Sequence, residues 1–190
     1  MLCPMTIAFE EKRAAQVAAV FLDKAGGTLP LLKLMKLMYL ADRRSLDLHG
    51  QPITFDSMVS MPQGPVLSMT LNYANGAIES GQEGWEDWIS DRAGHDVALR
   101  RTGFQRDDLL DLSDADLAVI EDTWSRFGQM SKWQLRDYTH NHLAEWRDPH
   151  GSSVPIAFED VFLALGRTPD EASLGATHLR EMLCIERRYG

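Results

Sequence analysis

Apolar residues recur at helical spacing along most of this chain, and glycine and proline mark the breaks between runs. Phe9, Ala14, Val17, Ala18, Phe21 and Leu22 share one stripe, with Thr6 as its start signal and Gly26-Gly27 as its end. A second run, LLKLMKLMYLADRRSLDLHG from Leu31 to Gly50, follows Pro30 and is apolar around most of its girth. A helix turns by about 100° per residue. That puts Lys33, Lys36, Arg43, Arg44 and Asp47 on one narrow polar face. Asp42 falls on the other side, among Leu31, Met35, Met38 and Leu46. So thin a polar stripe predicts a central helix wrapped by protein. A carboxylate among leucines needs a partner, because desolvation otherwise costs several kcal/mol.

After Gly50 the pattern changes. Pro52, Pro62 and Pro65 forbid a long helix, and the alternation of Ile53, Phe55, Met58 and Val59 predicts one or two short strands or extended loops. Helical spacing resumes over 66–75 and stops at Gly76. Trp85, Trp88 and Ile89 predict a short helical turn in the polar stretch 80–94. Val97 and Leu99 alternate with polar neighbours, which predicts a strand over 95–101 pairing with 58–61. Ser113 with Asp116, and Ser131 with Gln134, have capping-box spacing and open helices over 115–127 and 131–141. A short helix over 157–165 follows, and Thr168-Pro169 with Glu171 starts a terminal helix carrying Ala172, Leu179, Met182, Leu183 and Cys184. Gly175 inside it costs about 1 kcal/mol relative to alanine, so this helix depends on packing. The pattern as a whole predicts a mainly α fold: a single compact helical domain with a small β-sheet or hairpin. Residues 1–5 read as a flexible leader, with Met5 as an alternative start to Met1, and 167–190 read as a C-terminal helical extension of the domain 6–166.

Composition narrows the function classes. At 190 residues, with 44% hydrophobic and 25% charged residues, the chain has the make-up of one globular domain. A net charge of −9 argues against a surface for phosphate backbones and leaves a protein partner open. The absence of a membrane-length apolar run or a signal layout, with only Cys3 and Cys184 as thiols, predicts a cytoplasmic location. His140 and His142 are two apart and diverge on a helix, and neither Cys-x-x-Cys nor His-Glu-x-x-His occurs, so no metal and no cofactor are expected. Gly-x-Ser-x-Gly and P-loop motifs are missing too. Asp42 and His140 could form a catalytic dyad, but a buried structural hydrogen bond is the simpler reading. The helices at 115–127 and 131–141 have helix-turn-helix spacing, yet the second is balanced in charge and set among acids. Trp85 and Trp88, flanked by Glu83, Glu86 and Asp87, are candidate interface anchors.

The order of these pieces resembles the Panacea domain family, the SocA-like antitoxin group. The matching residues are KLMKLMYLAD from Lys33 to Asp42, His49-Gly50-Gln51-Pro52-Ile53, and Gly64-Pro65-Val66 with Ser68 and Tyr73. In the second half they are Leu112-Ser113, Phe127-Gly128, Ser131, Leu135, Thr139-His140, Glu145-Trp146, Gly151-Ser152-Ser153 and Pro155-Ile156. The resemblance covers about 31–166 and implies a helical, non-enzymatic antitoxin that neutralises a cognate protein toxin by direct contact. An adaptor delivering the toxin to a protease is the alternative, and an enzyme built on Asp42 and His140 is a more distant one. It further implies a buried junction in which Asp42 meets Thr139-His140. Gly64 gives backbone freedom before Pro65, which suits the first turn of the next helix, and Trp146 covers one end of the core. Gln51, Asp56, Gln63, Trp85 and Trp88 are the candidate toxin-contact residues.

Overall fold

The computed structural model describes residues 9–90 and 93–189. The leader 1–5, with Cys3, the Thr6 start and the side chains of Leu183 and Cys184 lie outside that description. The fold is mainly α with minor β. Helix α1 (Glu11–Lys24) and helix α2 (Leu31–His49) are joined through the short strand β1 (Thr28–Pro30). Phe9 and Glu10 are not helical, so α1 opens later than a start at Thr6. Strands β2 (Met58–Met61) and β3 (Gly64–Leu67) form an antiparallel hairpin that leads directly into α3 (Ser68–Ala74). Helix α4 (Trp85–Trp88) is the single turn that the tryptophan spacing predicts, and β4 (Asp96–Ala98) follows. Helices α5 (Asp114–Phe127) and α6 (Lys132–His142), strand β5 (Val154–Pro155), α7 (Phe158–Ala164) and α8 (Pro169–Tyr189) complete the order.

Helix α2 is the axis of the core. Leu34, Leu37, Met38, Tyr39 and Ala41 are fully buried, as are Ala14, Val17, Ala18, Phe21 and Leu22 of α1. The capping signals act as their spacing predicts. Ser113 and Asp116 bond reciprocally at the start of α5, Ser131 and Gln134 at α6, and Thr168 and Glu171 at α8. Terminal helix α8 buries Ala172, Ala176 and Leu179. A Cβ on Gly175 would lie 3.0 Å from the Phe162 ring, so glycine there serves a close approach to α7.

Two expectations are corrected. Strand β4 pairs with β1, Leu29 opposite Val97, and not with 58–61. The other neighbour of β2 is β5, which gives a three-stranded sheet in the order β3-β2-β5. The helix expected over 66–75 begins only at Ser68, because Pro65 and Val66 are paired in the hairpin with Ser60 and Val59. Pairing partners distant in sequence decide the places of β4 and β5, and local alternation carries no information about them; the late start of α3 follows from the tight β2–β3 hairpin.

Candidate functional site: a gripped hairpin and the groove beside it

Two buried carboxylates set the path between α2 and the hairpin. Asp42 accepts the backbone N–H of Ile53 at 3.0 Å and of Thr54 at 3.1 Å, and the Thr54 hydroxyl at 2.5 Å. Thr54 Oγ1 in turn accepts the Asp56 N–H. Asp56 then takes the first N–H groups of α3, accepting from Met69 at 2.9 Å and from Thr70 at 2.7 Å, together with the Thr70 hydroxyl. This relay ties the turn after α2 to the start of α3. Burial pushes the Asp42 carboxyl up to about 7 against the opposing pull of its Thr54 and Ile53 donors, and burial raises Asp56 as well.

The hairpin itself is held from two sides. From α2, the fully buried Lys36 donates from Nζ to the Pro65 carbonyl at 2.6 Å. Beyond α6, Trp146 donates from Nε1 to the Met61 carbonyl at 3.1 Å, and the Arg147 N–H reaches Ser60 Oγ. His140 stacks on Trp146 with ring centroids 4.0 Å apart, and its Nε2 has no hydrogen-bond partner among the described residues. Burial, then Lys36, then Arg136 lower the His140 pKa, against the opposing pull of Asp137 and Asp148. Gly64 adopts φ +95° where the chain turns back into β3. Its missing side chain makes room for Thr139 Oγ1 and Lys36 Nζ.

Five of the six signature residues therefore meet around the hairpin: Gly64, Pro65, Thr139, His140 and Trp146. Asp42 is not among them. It bonds to 53–54, while Thr139 donates to the Arg136 carbonyl, so the expected junction of Asp42 with Thr139-His140 is corrected. Asp42 and His140 share no hydrogen bond among the described residues. Pro65 lies in a strand, not in a first helical turn; Trp146 packs against the core as expected and in addition grips the hairpin.

The polar stripe of α2 is an interhelical seam. Lys33 donates to the Gly128 carbonyl, Arg44 pairs with Asp122, and Arg43 with the buried Glu145, which also accepts from the Tyr39 hydroxyl. Sequence reasoning missed Lys36 and Glu145. The available signal was the stripe itself: a face only one side chain wide has no room for solvent once the flanking leucines are covered.

Among the candidate contact residues, Asp56, Trp85 and Trp88 are interior. Trp85 and Trp88 are 3% and 2% exposed, which corrects the expectation of exposed anchors. Glu11 of α1 accepts the Trp85 N–H at 2.7 Å, and Trp88 packs edge-on against Phe104 under Arg101. Their acidic neighbours face solvent while the indoles turn inward, an asymmetry that one helical turn permits and composition does not reveal. Gln51 and Gln63 are exposed. Gln63, at the hairpin tip, borders an open groove of about 590 Å³ floored by Leu31, Met35, Val66 and Leu71. Gln51 borders a separate groove of about 540 Å³ between the end of α2 and α8.

The buried lysine gives the site a pH signature. Lys36 titrates near 7 in the fold, pushed down by burial from 10.5. Between those values the unfolded chain binds a proton that the folded protein lacks, so stability from this group rises with pH. Asp42 runs the opposite way, its contribution full below about 3.8 and lost as pH rises to about 7. Relative to the parent, Lys36→Met is expected to gain most at and below about pH 7, where the buried ammonium costs the parent its full penalty. That advantage shrinks by on the order of a few kcal/mol as pH approaches 10.5. Denaturation midpoints of both proteins across this range check it, and a difference independent of pH would show that Lys36 keeps its ordinary pKa.

The class is thus a mainly α-helical scaffold that immobilises a β-hairpin beside an open groove. The family model described as antitoxin SocA-like, Panacea domain matches residues 34–147, and the chain belongs to that family. The match covers both carboxylates of the relay and every residue that grips the hairpin. No curated protein and no solved structure matches the chain. Among the described residues, no helix is long and apolar enough to cross a membrane.

Proposed function

We propose that this chain is an antitoxin that neutralises a cognate protein toxin by direct contact. The observation that carries the reading is membership of the SocA-like family over 34–147. The geometry supports it in two ways. Asp42, Asp56 and Lys36 are engaged in holding backbone groups, and Glu145 in tying the side chains of Arg43 and Tyr39. The scaffold they build leaves a groove open beside the hairpin tip, lined except at Pro30, Leu31 and Leu32 by residues of the matched span. Gln63 belongs to this contact surface, and Gln51 to a second one in the separate groove beside α8.

Co-expression tests the proposal. The gene adjacent to this one is expressed alone and together with it; growth arrest in the first case and recovery in the second is the expected result. Co-purification of the two proteins at undiminished toxin abundance identifies neutralisation by binding, whereas loss of the toxin from the cell identifies delivery to a protease. A neighbour that is harmless, or harmful regardless of this protein, counts against the antitoxin role.

A further inference from the structure

The groove beside the hairpin departs in charge from the rest of the molecule. The chain carries −9 overall, yet the described lining of this groove contains no aspartate and no glutamate. Its cation is Lys132, the first residue of α6, which makes no ion pair among the described residues. The Lys132 ammonium lies 5.0 Å from the centre of the Trp133 ring, and Arg136 covers the same ring at 5.0 Å. Arg136 is already neutralised by Asp137 at 2.6 Å. The positive end of the α6 dipole adds to the same local sign. Trp133 is 50% exposed, a large aromatic surface that binding would cover. Behind it Leu31, Met35, Met61 and Val66 supply an apolar floor, two of them flexible methionines.

We infer that this groove docks a partner segment that inserts apolar side chains over the floor and places a carboxylate at Lys132. Its volume suits roughly two or three apolar side chains, within the range of known ligand pockets. A second copy of this chain fits poorly, because it brings the same net charge of −9 to the encounter. The groove with Gln51 is a weaker candidate: Asp47 and Glu171 line it, and much of its wall, from Phe162 to Met182, lies beyond 34–147. Identifying the partner as a toxin rests on the antitoxin reading; the chemistry of the docked segment does not.

The probe is a displayed library of random peptides panned against the full chain, followed by anisotropy titration of the best binder, synthesised with a fluorescent label. Enriched peptides are expected to pair apolar residues with Asp or Glu. Trp133→Ala and Lys132→Glu are each expected to weaken binding by about tenfold or more. Changing the peptide's acid to its amide should cost wild type a similar factor and cost the Lys132→Glu protein nothing further. Lys132→Glu places an acid in the first turn of α6, which favours the helix, so lost binding is not lost folding; thermal melts confirm this. Basic or patternless enriched peptides, or full binding by both variants, overturn the assignment. So does a homodimer in sedimentation that Trp133→Ala dissolves. In the co-expression assay, both variants rescuing as well as wild type sinks this groove and leaves the antitoxin reading standing. Failure of wild type to rescue sinks that reading and leaves the peptide result intact.

Discussion

Replacing Gly64 by alanine is expected to lower stability by about 2–5 kcal/mol, the sum of a left-handed backbone penalty and overpacking. At φ +95° an L side chain is strained before any contact is counted. A Cβ there would stand 2.6 Å from Thr139 Oγ1 and 2.9 Å from Lys36 Nζ. Neither can yield cheaply: Thr139 is tied to the Arg136 carbonyl and Lys36 to the Pro65 carbonyl, both inside the protein. Denaturant titration measures the loss. Thr139→Ala in the same chain removes the nearer obstacle and should recover part of it, so the two changes together cost less than their sum. A Gly64→Ala protein as stable as the parent would mean that the hairpin is not clamped against α2 and α6.

Asp42→Leu should cost about 3–6 kcal/mol, since each buried donor left without an acceptor costs about 1–3 kcal/mol. The donors are the Ile53 and Thr54 N–H groups and the Thr54 hydroxyl, all served by one carboxylate that is fully buried. Asp42→Asn keeps one oxygen for the two backbone groups and turns an amide toward Thr54 Oγ1. Its cost is smaller, about 1–2 kcal/mol. The cost also depends on pH in a definite direction. The contribution of Asp42 to stability falls as pH rises from 3.8 to about 7, while asparagine does not titrate, so the deficit of Asp42→Asn is largest in acid and narrows toward neutrality. Equal stability of the leucine, asparagine and parent proteins would remove Asp42 from the support of the 50–57 turn.

The same carboxylate shows how far local pattern reaches. The helical wheel placed Asp42 inside and demanded a partner, and it is inside with three donors. Choosing the partner was beyond it, because Thr54 and His140 are equally plausible along the chain and only the turn after Gly50, itself held by Asp42, brings Thr54 close. Lys36 illustrates the converse failure. The thin stripe signalled a covered helix but not which of its cations would lose all solvent, and Lys36 lies under the hairpin with its Nζ on a carbonyl. Trp85 and Trp88 fail for a third reason: four helical residues are too few to define a face, so their acidic neighbours gave the wrong side.

Periodicity, capping pairs and the glycine–proline breaks were enough for the sequence alone to determine most of the helices and the buried axis at α2, since each depends on residues within a turn or two of one another, and the order of those pieces along the chain was enough for the family. Which strands pair, which partners the interior polar groups take, and where a groove stays open were decided only by tertiary structure. Those outcomes depend on segments such as β1 with β4, or Trp146 with Met61, that are remote in the chain and meet only when the core closes.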